Sequence, residues 1–124
     1  MCFTCWALAS KMHDFYLIGW FDGSYDFGRS AEKLLHTPDE AKGMGGYNGA
    51  QYSQKDIDDK IITSSSILDR TEREKALQQI NRQSVEDVAW IPLYYQHDIF
   101  AVLKGKEINF IPRPDRWIVV KEIK

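Results

Sequence analysis

The first clear hydrophobic pattern in the chain is an apolar run at residues 15–20, FYLIGW. A continuous apolar run of this length, rich in aromatic residues, predicts a strand that is buried on both faces. Residues 21–49 are rich in Gly, Asp, Ser and Asn and predict a long loop, with one helical turn near residues 30–36. Long loops in compact domains usually carry function, so this loop is the first place to expect a site.

Two helices are predicted in the middle of the chain. For the first, Ser53 and Asp56 have the spacing of a capping box, and Ile57, Ile61 and Leu68 follow near one face. Such a pattern predicts a helix that begins near Ser53 and turns its apolar face towards a core.

The second helix is predicted to begin at Asp69, which can act as its N-cap, while Thr71 and Glu74 form an alternative cap for the same start. Its apolar stripe at helical spacing consists of Leu77, Ile80, Ser84 and Val88. Two helices joined by so short a connection are expected to pack as an antiparallel pair.

Strands are predicted for the rest of the chain, because Pro92 cannot continue a helix. The predicted strands are residues 90–95, 99–103, 109–111 and 116–123. The resulting fold class is α/β, with mixed α and β elements. The closing strands have no obvious partners within the chain.

Composition narrows the class of protein. Hydrophobic residues make up 44% of the 124 residues and charged residues 27%, which is typical of a globular domain. A net charge of -2 gives no support for nucleic-acid binding, which usually shows as a basic surface. Residues 1–10 are apolar but have no preceding basic residue, so we expect no signal peptide in this chain.

Cysteine and histidine residues near the start suggest an alternative function. Cys2 and Cys5, with His13, could serve a small thiol-dependent redox protein or enzyme. However, a structural zinc ion needs four ligands, and two cysteines do not make a disulfide framework. We therefore expect no metal and no cofactor, and keep the thiol-dependent protein as the alternative hypothesis.

The start of the long loop is the candidate binding site. Its candidate ligand-binding residues are Trp20, Asp22, Tyr25 and Asp26. An aromatic ring beside a carboxylate suits a cationic amine, through a cation–π contact and a charge-assisted hydrogen bond. The alternative is a solvated acidic loop that follows a core tryptophan.

Five short motifs occur in a fixed order along the chain. They are Gly19-Trp20 with the acidic loop after it; Asn48, Tyr52, Ser53, Ile57 and Asp58; Asp69 and Arg73; Glu86 and Asp87; and residues 90–95, WIPLYY. In this order and spacing, they resemble the dipeptide- and oligopeptide-binding proteins, the family 5 extracellular solute-binding proteins of ABC importers. The resemblance covers roughly residues 13–105.

The resemblance implies a binding protein and not an enzyme. Members of this family have two lobes that close over a ligand, so the chain would be the C-terminal portion of a two-lobed periplasmic-binding-protein-like fold. Residues 1–12 would be an unassigned N-terminal segment, and residues 13–96 part of the second ligand-binding lobe. Residues 97–124 would be strands that return to a first lobe missing from this chain.

The resemblance also implies a location and a set of partners. The parent protein would be periplasmic or extracytoplasmic. Its partners would be a peptide or another small solute, the membrane permease subunits of the importer, and the missing N-terminal lobe, with no nucleic acid. Unpaired strands would also allow a dimer.

The sequence departs from the family pattern at the candidate site. Where the family has an aspartate that holds the amino group of the ligand, this chain has Gly23, and an acidic residue stands one place earlier, at Asp22. Where the family has Asp-Pro, this chain has Asp26-Phe27. The departure leaves open whether Asp22 takes the place of the expected aspartate.

Overall fold

The computed structural model describes residues 16–101, 103, 111–113, 116–119 and 121. The chain divides into two compact units, Met1–Leu93 and Tyr94–Lys124. The described part of the first unit contains three helices, α1 (Phe27–Leu34), α2 (Lys55–Ser64) and α3 (Arg70–Glu86). Helix α2 packs against both α1 and α3.

The predicted mixed α and β class is wrong. Across the described ranges the regular structure is helical, and the β structure there is one antiparallel bridge between Asp39 and Met44. The structure therefore gives no support to the α/β, two-lobed fold that the resemblance implies. The predicted pairing of two copies through strands stays a prediction, and the described residues contain no strand that could form it.

The predicted strand at residues 15–20 is wrong at residues 16–20, which have no regular secondary structure, and Phe15 lies outside the described residues. Leu17 is exposed, whereas Ile18 and Trp20 are half-buried, so one face of the segment packs and the other does not. A strand needs a neighbouring ladder for its backbone hydrogen bonds, and an apolar pattern alone does not provide one.

The predicted strands in the last third of the chain are also wrong where they can be seen. Residues 90–101, 103, 111 and 116–119 are irregular, and residue 121 is not in a strand. Residues 102, 109–110, 120, 122 and 123 of the predicted strands lie outside the described residues. Apolar side chains such as Leu93, Tyr95 and Ile99 are exposed. These sequences favour strands, but a strand without a partner is not stable in water.

Helix α1 begins where the sequence predicted only loop. Asp26 is its N-cap, and its carboxylate accepts a hydrogen bond of 2.8 Å from the backbone N–H of Gly28. This cap satisfies one of the N–H groups that a helix start leaves without a partner. The predicted turn near residues 30–36 is the second half of this helix and the residues that follow it.

Helix α2 begins two residues later than predicted, with Gln54 as its N-cap and no side-chain cap, so the Ser53–Asp56 capping box does not form. Ile57 and Ile61 are buried as predicted. Leu68 is 98% exposed, because the helix ends at Ser64 and the stripe does not continue beyond it.

Helix α3 begins as predicted. The Asp69 side chain accepts a hydrogen bond of 2.8 Å from the Glu72 N–H, which confirms Asp69 as the N-cap. Ile80 and Ser84 of the predicted stripe are fully buried. Val88 is exposed because it follows the end of the helix and has a positive φ of 56°.

The core of the first unit lies between the three helices. Its buried apolar residues are Ala31, Leu35, Ile57, Ile61 and Ile80. Around them pack partly buried side chains, including those of Phe27 and Trp90, whose ring centroids are 5.7 Å apart. The core is small, so the polar contacts that tie the loops to it matter for stability.

The loop between α1 and α2 is fixed by Asn48, which is 4% exposed. Its side-chain amide donates to the carbonyl oxygens of His36 and Tyr52, and its Oδ1 accepts from the Tyr52 N–H. Gly45 has a positive φ of 66°, and a Cβ there would lie 2.4 Å from the His36 carbonyl oxygen, so only glycine fits. The loop is therefore a defined structure that leads from α1 to α2.

Candidate functional site

Trp20 is the centre of the candidate site. Its indole Nε1–H donates a hydrogen bond of 3.0 Å to the Ser30 hydroxyl on α1. Its ring meets Tyr47 edge to face, with centroids 5.3 Å apart and an interplanar angle of 60°. These two contacts hold a half-buried aromatic ring in one orientation, which is the geometry that a stacking surface for a ligand needs.

The Asp22 side chain is mostly buried, and both oxygens of its carboxylate accept hydrogen bonds. Its Oδ1 accepts hydrogen bonds from the Ser24 N–H at 2.9 Å and the Ser24 hydroxyl at 2.5 Å, and its Oδ2 accepts from Lys33 Nζ at 3.4 Å. The hydrogen bonds from Ser24, with a smaller effect from Lys33, lower the pKa of Asp22 to about 2. The carboxylate is therefore ionised at neutral pH and already has partners of its own.

Lys33 belongs to this site, although no pattern in the sequence pointed to it. Its Nζ lies 3.4 Å from Asp22 Oδ2 and 5.9 Å from the centroid of the Trp20 ring. Its backbone carbonyl accepts a hydrogen bond from the Tyr47 N–H. The four residues Trp20, Asp22, Lys33 and Tyr47 are called the Trp20 cluster below.

Tyr25 occupies the turn that follows Asp22. Its N–H donates to the Asp22 carbonyl oxygen at 3.1 Å, and its φ of 55° is unusual for a residue other than glycine. Its ring is exposed and meets Phe21 edge to face at 6.0 Å. The Tyr25 ring is thus accessible to a ligand, and the turn that carries it is tied to the Trp20 cluster through the Asp22 backbone.

Asp26 has a different set of contacts from Asp22. Besides capping α1, its carboxylate accepts two hydrogen bonds from Arg73 Nη2, at 3.1 and 2.8 Å. Gly28 leaves room for this pair, because a Cβ at that position would lie 2.9 Å from Arg73 Nη2. These contacts give Asp26 a structural role in joining the loop to α3.

Other residues of the motifs also contact one another across the fold. The Tyr52 hydroxyl donates a hydrogen bond of 2.6 Å to Asp87 Oδ2, and the Asp58 carboxylate accepts from the N–H and hydroxyl of Thr37. Burial, with the hydrogen bond to Asp87, raises the pKa of Tyr52. Tyr52 therefore stays protonated at neutral pH and acts as a hydrogen-bond donor.

The residues of the thiol-dependent hypothesis, Cys2, Cys5 and His13, lie outside the described residues. Within the part of the chain that is described, no group of three or more His, Cys, Asp or Glu side chains could hold a metal ion. Among the described helices, none has the length and apolar character needed to cross a membrane.

Sequence models of protein families, curated proteins and solved structures were compared with this chain, and none of the three comparisons gives a match. The candidate site therefore stands on its own geometry and on the order of the motifs.

Proposed function

We propose that this chain is part of the solute-binding component of an ABC importer and that it binds a peptide or a similar small solute. It would act by binding and not by catalysis. The proposal rests on the resemblance in motif order and on one structural observation. Residues from separate motifs form hydrogen bonds with each other: Arg73 donates to Asp26 at 2.8 Å, and Tyr52 donates to Asp87 at 2.6 Å.

These contacts support the proposal because they give residues of separate motifs the same structural role, which is to join distant segments of the chain. Asp26 belongs to the acidic loop and Arg73 to the start of α3, and their contact links residues 47 positions apart. The loop that they hold carries Trp20, Asp22 and Tyr25, the remaining candidate ligand-binding residues.

The Trp20 cluster is suited to binding a small solute. The ring of Trp20 is held by Ser30 and Tyr47 before any ligand arrives, so little side-chain freedom is lost on binding. Ligand sites commonly combine an aromatic surface with a few placed polar groups. Here Lys33 provides a charged group near the Trp20 ring, and Asp22 is paired with Lys33. In the proposed role, the protein would work outside the cytoplasm and pass its solute to membrane permease subunits.

The test is a nuclear magnetic resonance titration of the ¹⁵N-labelled chain with pools of tripeptides, up to about 10 mM so that affinities near millimolar are seen. The indole N–H of Trp20 is the probe, assigned by its loss in Trp20→Phe. The indole of Trp117, which lies in the second unit and is exposed, is the internal control.

The expected result is a saturable shift of the Trp20 indole resonance while that of Trp117 stays in place. If no pool moves the Trp20 resonance, or if only Trp117 responds, the proposed solute-binding function of this site is wrong.

A further inference from the structure

The two partners of the Asp22–Lys33 ion pair differ in their access to solvent. The Asp22 side chain is 12% exposed and the Lys33 side chain 37% exposed. Because the carboxylate is covered and the ammonium is not, the charged group that this pair presents to the outside is positive.

The hydrogen bonds of the pair show the same asymmetry. Both oxygens of Asp22 accept hydrogen bonds, Oδ1 from Ser24 and Oδ2 from Lys33. Lys33 Nζ has three N–H donors, and its contact with Asp22 is long at 3.4 Å. The ammonium therefore has capacity for a further acceptor, whereas an amine arriving at Asp22 would have to compete with groups already bound there.

We propose that Lys33 is a specificity-determining residue and that it binds an anionic group of the solute, such as the free carboxylate of a peptide. The inference deepens the proposed function and rests on it. In the bound state, the Lys33 ammonium pairs with the carboxylate of the solute while the adjoining part of the solute lies against the Trp20 ring. A solute whose only charge is an ammonium group binds weakly, since Lys33 repels it.

The site thus differs from one that recognises the amino terminus of a peptide. A carboxylate holds a free amine most strongly when it faces the ligand and has no cationic neighbour. Asp22 meets neither condition, because its side chain is only 12% exposed and is already paired with Lys33. On this basis, Asp22 positions the Lys33 side chain beside the Trp20 ring, and Lys33 selects the ligand.

The experiment compares two tripeptide pools of the same sequences. One pool has acetylated amino termini and free carboxylates, and the other has free amines and amidated carboxyl termini. Each is titrated against the wild-type chain with the Trp20 indole resonance as probe. We expect the free-carboxylate pool to bind at least about tenfold more tightly than the amidated pool, the scale of one hydrogen bond to a charged group.

Variants test which residue carries the preference. Lys33→Gln should weaken binding of the free-carboxylate pool about tenfold, and Lys33→Arg should retain it. Lys42→Gln is the matched control, since Lys42 is also an exposed lysine in an ion pair, with Asp39 at 3.2 Å. Asp22→Asn should bind the free-carboxylate pool more tightly, because Lys33 is released from its partner, whereas a site that holds an amine through Asp22 would lose affinity.

The outcomes separate this inference from the proposed function. If the wild-type chain binds both pools equally, or if Lys33→Gln binds as wild type does, the role of Lys33 is wrong while solute binding stands. If neither pool shifts the Trp20 resonance, both fail together. If the circular dichroism signal shows that Lys33→Gln does not fold, the Asp22→Asn variant provides the test. Tighter binding of the free-carboxylate pool by Asp22→Asn supports the role of Lys33, and weaker binding contradicts it.

Discussion

Apolar side chains of the first unit, such as Ile57, Ile61 and Ile80, are almost fully buried, whereas Tyr95 and Ile99 of the second unit are more than nine-tenths exposed. Both units carry many apolar residues, so composition does not distinguish them. The difference lies in how each segment satisfies its backbone. Helices close their hydrogen bonds within one segment, but a strand requires a second segment at the right distance.

An apolar pattern can specify which face of a helix is buried, but it does not by itself provide the neighbouring strands of a sheet. In the first unit, the helical stripes meet one another and form a core around Ile80. In the described residues of the second unit, the sequence favours strands, but no sheet forms. Exposed apolar residues of the second unit, such as Tyr95 and Ile99, therefore add little to the stability of the chain as it stands.

The largest expected effect comes from the core of the first unit. Ile61→Ala should lower the free energy of unfolding by about 2–5 kcal/mol, because it removes buried methyl groups and leaves a cavity. The matched control is Ile62→Ala on the same helix, where the side chain is 37% exposed and the loss should be much smaller. Urea unfolding followed by circular dichroism measures both. Equal losses for the two variants would show that α2 does not pack with the predicted face.

A smaller effect is expected from the contact that joins the candidate loop to α3. Asp26→Ala removes the N-cap of α1 and both hydrogen bonds to Arg73, and it should cost about 1–3 kcal/mol. Asp26→Asn can still cap the helix, so its cost should be less. Asp59→Ala is the control, because the Lys55–Asp59 pair is exposed and should contribute less than about 0.5 kcal/mol. If Asp26→Ala costs no more than Asp59→Ala, the loop is not held as described.

The free energy of unfolding should also depend on pH in the acid range, through Asp22. The pKa of Asp22 is about 2 in the folded chain, against an ordinary value of 3.8, so ionised Asp22 stabilises the folded state above pH 3.8. This contribution declines as the pH falls through the interval between these two values and is gone below pH 2. Unfolding free energies of wild type and Asp22→Asn, measured across this range, should therefore converge in acid. A constant difference would mean that the Ser24 and Lys33 contacts do not favour the carboxylate.

The smallest effect is expected in the second unit. Ile99→Ala should change the free energy of unfolding by less than about 0.5 kcal/mol, because the side chain has little apolar contact to lose. The same urea measurement applies, and the chemistry of the substitution is identical to that of Ile61→Ala. A loss above about 1 kcal/mol would show that Ile99 is buried and would remove the contrast between the two units.

Local signals account for the parts of the fold that could be predicted. Asp69 caps the helix that it was expected to begin, and Ile57, Ile61 and Ile80 are buried, because caps and helical stripes depend on residues within a few positions. The start of helix α1 was not predicted, because its N-cap, Asp26, lies in a stretch rich in loop-forming residues. The strands failed because their partners cannot be inferred from their own sequence.

The candidate site was predicted in part. The aromatic and acidic residues after the apolar run identified Trp20 and Asp22, which the structure brings together with Lys33. Lys33 was missed because its approach to Asp22 depends on how α1 lies against the loop, across 11 residues of sequence. A lysine in the last turn of a helix is common and carries no signal of its own.

The Asp26–Arg73 contact has a consequence for the order of folding. It closes a segment of 47 residues, so it can form only after α2 and α3 have been brought back towards the start of α1. Closing a segment of that length costs more chain entropy than a helical turn, and contacts distant in sequence slow the search for the native state. The end of the loop at Asp26 is therefore expected to be fixed late, when the three helices have already come together.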